Sequence, residues 1–243
     1  MLTLRGKSSF NVLIEGHFDL TDQNSTETSP SREQFLEKYR ETILDWTKTH
    51  KLELIDGRKN YSWKDKDPQS CLTARDRIRR SITFSQSQNN GGIDLETLDL
   101  IMKWGGLPKF PLRDESKILE ITRKVFSLVD KGDVSDAVNK LLSIDGVDID
   151  QASRIIGLFD QNRFCIYNNI VGNALKSLEF KEKPVLQCPT GPHNPEHICS
   201  DQRWGENYQR LIWTLEVIRD YLNKEGYPFS IADIEMALFM MGK

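Results

Sequence analysis

Between Ile144 and Ile156 the chain reads Ile-Asp-Gly-Val-Asp-Ile-Asp-Gln-Ala-Ser-Arg-Ile-Ile. A helix ends here, Gly146 permits a tight turn, and a second helix starts near Asp148, with the small Ala152 allowing the two helices to pack closely. Such a turn points the backbone N–H groups of the second helix outward. Aided by the helix dipole, those donors hold a phosphate without any basic side chain. An ordinary helix-turn-helix core element has the same spacing. Two other clusters hold side chains of chemical interest. Arg75-Asp76-Arg77-Ile78-Arg79-Arg80 is the densest basic run, either a solvated helix face or a phosphate contact. Cys188, His193, His197 and Cys199 are the right types for tetrahedral zinc, but a single residue between His197 and Cys199 is unusual for a zinc motif. The expected reading of that segment is an irregular surface loop, and no metal site is assigned.

The elements that would position these groups are mostly helical. Phe35, Tyr39, Ile43 and Trp46 follow Ser29-Pro30 at helical spacing. Asp94 is placed to cap a helix carrying Leu95, Leu98 and Met102 and closed by Gly105-Gly106. Asp114 caps the next, through Ile118, Ile121, Val125 and Leu128 to Gly132, and Ser135 begins a short one. Arg203 to Lys224 is strongly amphipathic, and Ser230 caps a last helix through Met241. Phe10 to Phe18 reads as a short strand, and Lys181 to Ser200 as a long loop rich in Pro and Gly. Residues 51–92 carry no decisive periodicity. The predicted fold is mostly α with a short N-terminal β element. Three parts are expected: 1–92, a strand, linker and helices; 93–179, a central module with the hairpin; and 180–243, a long loop and C-terminal helices that pack back on the first part.

The chain has 243 residues, 38% of them hydrophobic, enough for one large domain or two small ones. A net charge of -3 means that any DNA contact must gather its positive charge on one face. No apolar run reaches membrane-spanning length, no secretory pattern opens the sequence, and four scattered cysteines do not make a disulfide framework. The expectation is a cytoplasmic monomer with no membrane partner.

The run from Ile144 to Leu178 resembles the helix-hairpin-helix DNA glycosylase superfamily, the endonuclease III-like proteins, as a divergent branch. Ile144-Asp145-Gly146-Val147-Asp148 stands where that superfamily has a hairpin like Leu-Pro-Gly-Val-Gly. Arg163 to Val171 stands where its loop with the catalytic Asp and the next helix belong. Leu98 to Trp104 looks like the first helix of the six-helix module, and Asp233 to Lys243 like the closing helix of a less characterised branch. The resemblance implies a two-subdomain helical fold that binds double-stranded DNA. Gly146, Val147 and Asp148 would contact the backbone, with Arg154 and Lys103 as basic contacts. Trp104, Tyr167 and Asn169 would line a pocket for an extruded base, because an enzyme acting on a base must stack it outside the duplex. Trp204 is a further aromatic of that kind. No cofactor is expected, a monovalent cation at the hairpin being the exception that the motif allows.

Two positions depart from the pattern. Asn168 stands at the catalytic Asp position. A carboxylate there would stabilise positive charge growing on the sugar and orient the attacking water, whereas Asn orients without neutralising. The chain is then a binding-only relative, an enzyme that uses another carboxylate, or an inactivated Asp-to-Asn variant. Asp150 stands where glycosylases that also cut the backbone carry a Schiff-base Lys. Glu235, among apolar neighbours in the last helix, is the candidate second carboxylate, and Asp150 is a weaker one. The expected function is a monofunctional DNA glycosylase excising a damaged or modified base, with anti-phage defence as its setting. The alternative is a catalytically inactive helix-hairpin-helix DNA-binding protein.

Overall fold

Many of the described helices begin where a short polar side chain bonds the first free backbone amides. Ser31 accepts from Gln34 N, Asp67 from Ser70 N, Asp94 from Thr97 N, Asp114 from Lys117 N, and Ser230 from Asp233 N. In a computed structural model that describes residues 30–63, 67–189 and 203–243, these caps open a mostly helical fold. Its helices are α1 (Arg32–Lys59), α2 (Pro68–Gln88), α3 (Leu95–Gly105), α4 (Glu115–Lys131), α5 (Val134–Leu142), α6 (Ile149–Phe159), α7 (Asn169–Ala174), α8 (Arg203–Lys224) and α9 (Ile231–Met241). A two-stranded antiparallel hairpin, β1 (Glu179–Phe180) and β2 (Lys183–Pro184), stands between α7 and α8. The strand expected at Phe10–Phe18 lies outside the described residues.

Residues 51–92 resolve into the end of α1 and the whole of α2. Each carries a single narrow apolar stripe, Phe35, Ile43, Trp46 and Leu54 on α1 and Cys71, Ile78 and Ile82 on α2, with polar residues around the rest. So thin a stripe hides in a window of mixed residues. Lys181 and Glu182 form the tip of the β-hairpin with positive φ of 52° and 64°, so the loop expected from Lys181 begins as a tight turn. No Asn-Gly or Asp-Gly pair announces that turn in the sequence. The short helix expected from Ser135 starts one residue earlier, at Val134.

Residues Ser31–Lys243 form one compact unit, and the boundaries expected at 92/93 and 179/180 fall inside it. Its centre is α8, where Tyr208, Leu211, Leu215, Ile218 and Leu222 are fully buried. Burying each such side chain is worth about 1.5–3 kcal/mol. Helix α1 lies against α8 and α9, α5 packs on α4 and α8, and α6 is held between α5 and the pair α2 and α3. That arrangement brings the start of α6, the end of α3 and the middle of α2 together. No helix among the described residues is long and apolar enough to cross a membrane.

Candidate functional site

The turn after α5 is closed by Val147 N donating to Ile144 O at 3.0 Å. Gly146 takes φ +82°, a left-handed conformation that a side chain disfavours. A Cβ at Gly146 would also lie 3.3 Å from the Pro111 ring. Ile144, Val147 and Ile149 are buried below the turn and anchor it, while Asp145, Gly146 and Asp148 face solvent. Asp148 caps α6 reciprocally. Its carboxylate accepts from Gln151 N at 2.9 Å, and its own N–H donates to Gln151 Oε1 at 3.1 Å. Among the described residues, the amides of Gly146, Ile149 and Asp150 donate to no protein group. The tight turn expected between these two helices is thus present and exposed at Asp145 and Gly146, with three amides that have no protein partner among the described residues and with the carboxylates of Asp145 and Asp148 at its rim. Val147 sits under it as an anchor, so of the three expected contact residues Gly146 and Asp148 reach the surface.

The Tyr167–Asn169 corner is tied to α6 by one hydroxyl. Ser153 Oγ accepts from Tyr167 N at 2.8 Å and lies 3.3 Å from Tyr167 O. Asn168 caps α7, its Oδ1 accepting from the amides of Ile170 and Val171, both at 3.1 Å. An aspartate would make the same cap with a full charge. Tyr167 does not line an opening. It is fully buried, and its hydroxyl donates to Gln187 O, the carbonyl that also accepts from Asn207 Nδ2 at 2.7 Å. Burial raises its phenol pKa well above the usual range. The ring pins the corner to the segment that leads away from β2, and this corrects its expected place in a base pocket. Asn169 is half-buried at the first position of α7.

Behind the hairpin lies a cluster that the sequence reading only partly anticipated. Trp63 and Trp104 stack with ring centroids 6.1 Å apart, and Trp63 Nε1 donates to Trp104 O at 3.2 Å. The Arg154 guanidinium sits 5.7 Å from the Trp63 ring and 5.8 Å from the Trp104 ring. Arg75 lies 5.7 Å from the Trp104 ring. Each arginine has its own acid. Arg75 grips Glu235 with two bonds, 2.6 and 3.3 Å. Arg154 Nη2 donates to Asp150 Oδ2 at 2.9 Å, with Nε also 2.9 Å from Oδ1. Gly105 makes room for this, since a Cβ there would stand 2.9 Å from Arg154 Cζ.

Several expected roles change accordingly. Arg154 is only 3% exposed and turns inward, so it is not a phosphate contact. Glu235 is sealed with Arg75 and has no open carboxylate oxygen to offer a substrate. Asp150 is the more accessible acid, with 22% of its side chain exposed. Burial raises its pKa, Arg154 opposes that rise, and the charges of Asp148 and Glu235 add to it. The basic run splits: Arg75 goes inside, Arg79 and Arg80 both pair with Asp76 on the surface, and Arg77 is exposed. Neither reading of that run foresaw a buried arginine, yet a signal existed. Arg75 falls on the stripe of Cys71, Ile78 and Ile82 at helical spacing. Lys103 is exposed near the end of α3, Trp104 is half-buried, and Trp204 belongs to the core.

Among the described residues no group of three or more His, Cys, Asp or Glu side chains is placed to hold a metal ion. Cys188 donates its thiol to Gly172 O at 2.9 Å, and His193, His197 and Cys199 lie outside the described residues. In comparisons with known proteins the chain matches no family model, no curated protein and no solved structure.

Proposed function

We propose that this protein binds duplex DNA through the Gly146 hairpin, in the manner of the helix-hairpin-helix proteins that its sequence resembles. The observation that carries this reading is the exposed turn, whose amides at Gly146, Ile149 and Asp150 have no protein partner among the described residues. Unpartnered amides in a turn and at the start of the helix that follows it suit a phosphate oxygen. Asn168 offers no charge, its Oδ1 is occupied by the α7 cap, and Glu235 is closed off. These features favour binding without base excision. The test is fluorescence anisotropy with a labelled duplex over about 50–200 mM salt, where phosphate contacts make affinity fall steeply. Gly146→Val strains the turn and is expected to weaken binding about tenfold or more, as the donors lose their alignment. A wild-type chain that binds no duplex at the lowest salt overturns the reading.

A second reading is the monofunctional DNA glycosylase acting on a modified base, and it rests on Asp150. This carboxylate is partly exposed, and its partner Arg154 packs against the Trp63–Trp104 pair. A carboxylate so placed would oppose positive charge on the sugar and activate water. Scoring abasic sites on genomic DNAs of differing base modification separates the two readings. Sites made by the wild-type chain and lost in Asp150→Asn establish the enzyme with Asp150 as its acid. Sites made only by Asn168→Asp mark the chain as a disabled enzyme.

A further inference from the structure

We infer that the outer face of α4, continued by Lys140 of α5, is a second contact for the phosphate backbone of duplex DNA and forms a track leading to the hairpin turn. This rests on the DNA-binding reading above but on different residues. Lys117, Lys124 and Lys131 recur every seven residues of α4, opposite the buried face of Ile118, Thr122, Val125, Phe126 and Val129. At about 1.5 Å per residue they span roughly 21 Å along one side of the helix. All three are exposed, and none pairs with a carboxylate among the described residues.

The track has relief as well as charge. A surface concavity of about 490 Å³ is lined by Glu120, Ile121, Arg123, Lys124 and Lys140, three cations and one anion. Arg123 is anchored there by donating to Asn89 O at 3.1 Å. Only Gly132 and Asp133 separate α4 from α5, and the two helices pack on each other, so they run in opposite directions. Nine residues against seventeen, α5 ends beside the middle of α4, where Lys140 joins Arg123 and Lys124, and the segment after it carries the turn on toward the start of α4. The contact between Gly146 and Pro111, three residues before the Asp114 cap, agrees with that. Positive groups thus follow in order from Lys131, through Lys124 and Lys140, to Lys117 and then the turn.

The occupant that fits is a long, regular polyanion. The chain is net negative at -3, so an unpaired row of lysines on one helix is a local departure from its surface. The acids nearby are Asp114 and Glu115 at the start of α4, Glu120 in the concavity, Asp130 and Asp133 beside Lys131, and Asp136 on α5. A lipid surface would call for exposed apolar residues between the lysines, and the concavity offers only the half-buried Ile121. Contacts of this kind position a duplex without reading its sequence.

The experiment compares duplex affinity and its salt dependence for four proteins. They are the wild type, the track variant K117A/K124A/K131A/K140A, a control of equal charge change, K59A/K176A/K183A/K224A, and G146V. All eight lysines are exposed, so circular dichroism and thermal melting should show the fold retained in both quadruple variants. The track variant is expected to lose about tenfold or more in affinity at low salt, and its slope of log K against log salt should flatten by about 3. The control is expected to stay within about twofold of the wild type. Loss in the track variant with G146V unaffected supports the track and removes the hairpin reading. Loss in G146V alone, with the track variant like the control, overturns the track and leaves the hairpin. A wild type that binds no duplex overturns both.

Discussion

The Gly146 turn and the Trp104 cluster put similar chemistry to opposite uses. At the turn, Asp145, Gly146 and Asp148 are exposed and the side chains that support them, Ile144, Val147 and Ile149, lie underneath. Around Trp104, charged side chains are inside, and each buried guanidinium needs its own carboxylate. A surface made from backbone geometry tolerates changes in its neighbours as long as the turn keeps its shape. A buried charge cluster does not, because a charge without its partner in a poorly solvated interior is costly.

Mutations sharpen that contrast, beginning with the strongest. Glu235→Ala leaves Arg75 unpaired in the interior and is expected to lower stability by about 3–5 kcal/mol, read from the urea unfolding midpoint. Glu235→Gln keeps hydrogen-bond acceptance and should cost less. An unchanged midpoint in Glu235→Ala would mean that the cluster does not bury its charges as described. Gly105→Ala pushes a methyl against an Arg154 guanidinium that Asp150 and two tryptophan rings hold in place. A loss of about 1–3 kcal/mol is expected, with a change in tryptophan fluorescence.

At the turn the expected losses of stability are smaller. Gly146→Ala places a side chain at φ +82° and should cost about 1–2 kcal/mol while leaving tryptophan fluorescence untouched. Asp148→Ala removes one half of the α6 capping box, for a loss of about 1 kcal/mol. A cost at Asp148 as large as that at Glu235 would erase the distinction between the two regions.

Acid titration gives the smallest and most local comparison. Asp233 is partly buried, which works to raise its pKa, but bonds from Ser230 and the Arg58 guanidinium prevail and lower it. Its stabilisation is therefore present above the ordinary Asp pKa of about 3.9 and is lost as pH falls through the lower folded value. Asp150 is raised by burial, so it works the other way. Holding it ionised in the fold detracts from stability above its folded pKa, and that penalty is relieved as pH falls toward the unfolded value. Asp233→Asn should flatten the acid limb of stability below about pH 4, and Asp150→Asn should steepen it slightly. Carboxyl titrations by NMR that moved both groups in the same direction would contradict these environments.

Much of the fold was legible because its signals are local. Capping residues at Asp94, Asp114 and Ser230, the stops at Gly106 and Gly132, and the apolar side of Arg203–Lys224 each depend on a few neighbours in the chain. The hairpin was readable for the same reason, since Gly146 and the Asp148 cap specify it over five residues. The site behind it was not. Trp63 escaped notice because its role comes from stacking on Trp104, 41 residues away, and Arg75 because its partner Glu235 is 160 residues away. Asp150 stands four residues before Arg154 on the same helix, so their pairing is local, but only packing buried the guanidinium of that pair.

By itself the sequence determined where many helices start and stop and that a tight turn joins α5 to α6, since capping bonds and the backbone preference of glycine act within a few residues. Tertiary structure alone decided which charges are buried, and it alone paired Arg75 with Glu235. A guanidinium on an amphipathic helix is equally at home in water: Arg75 settles inside because α9 brings Glu235 to meet it, whereas Arg154 carries its acid, Asp150, on its own helix and is buried by the helices packed around it.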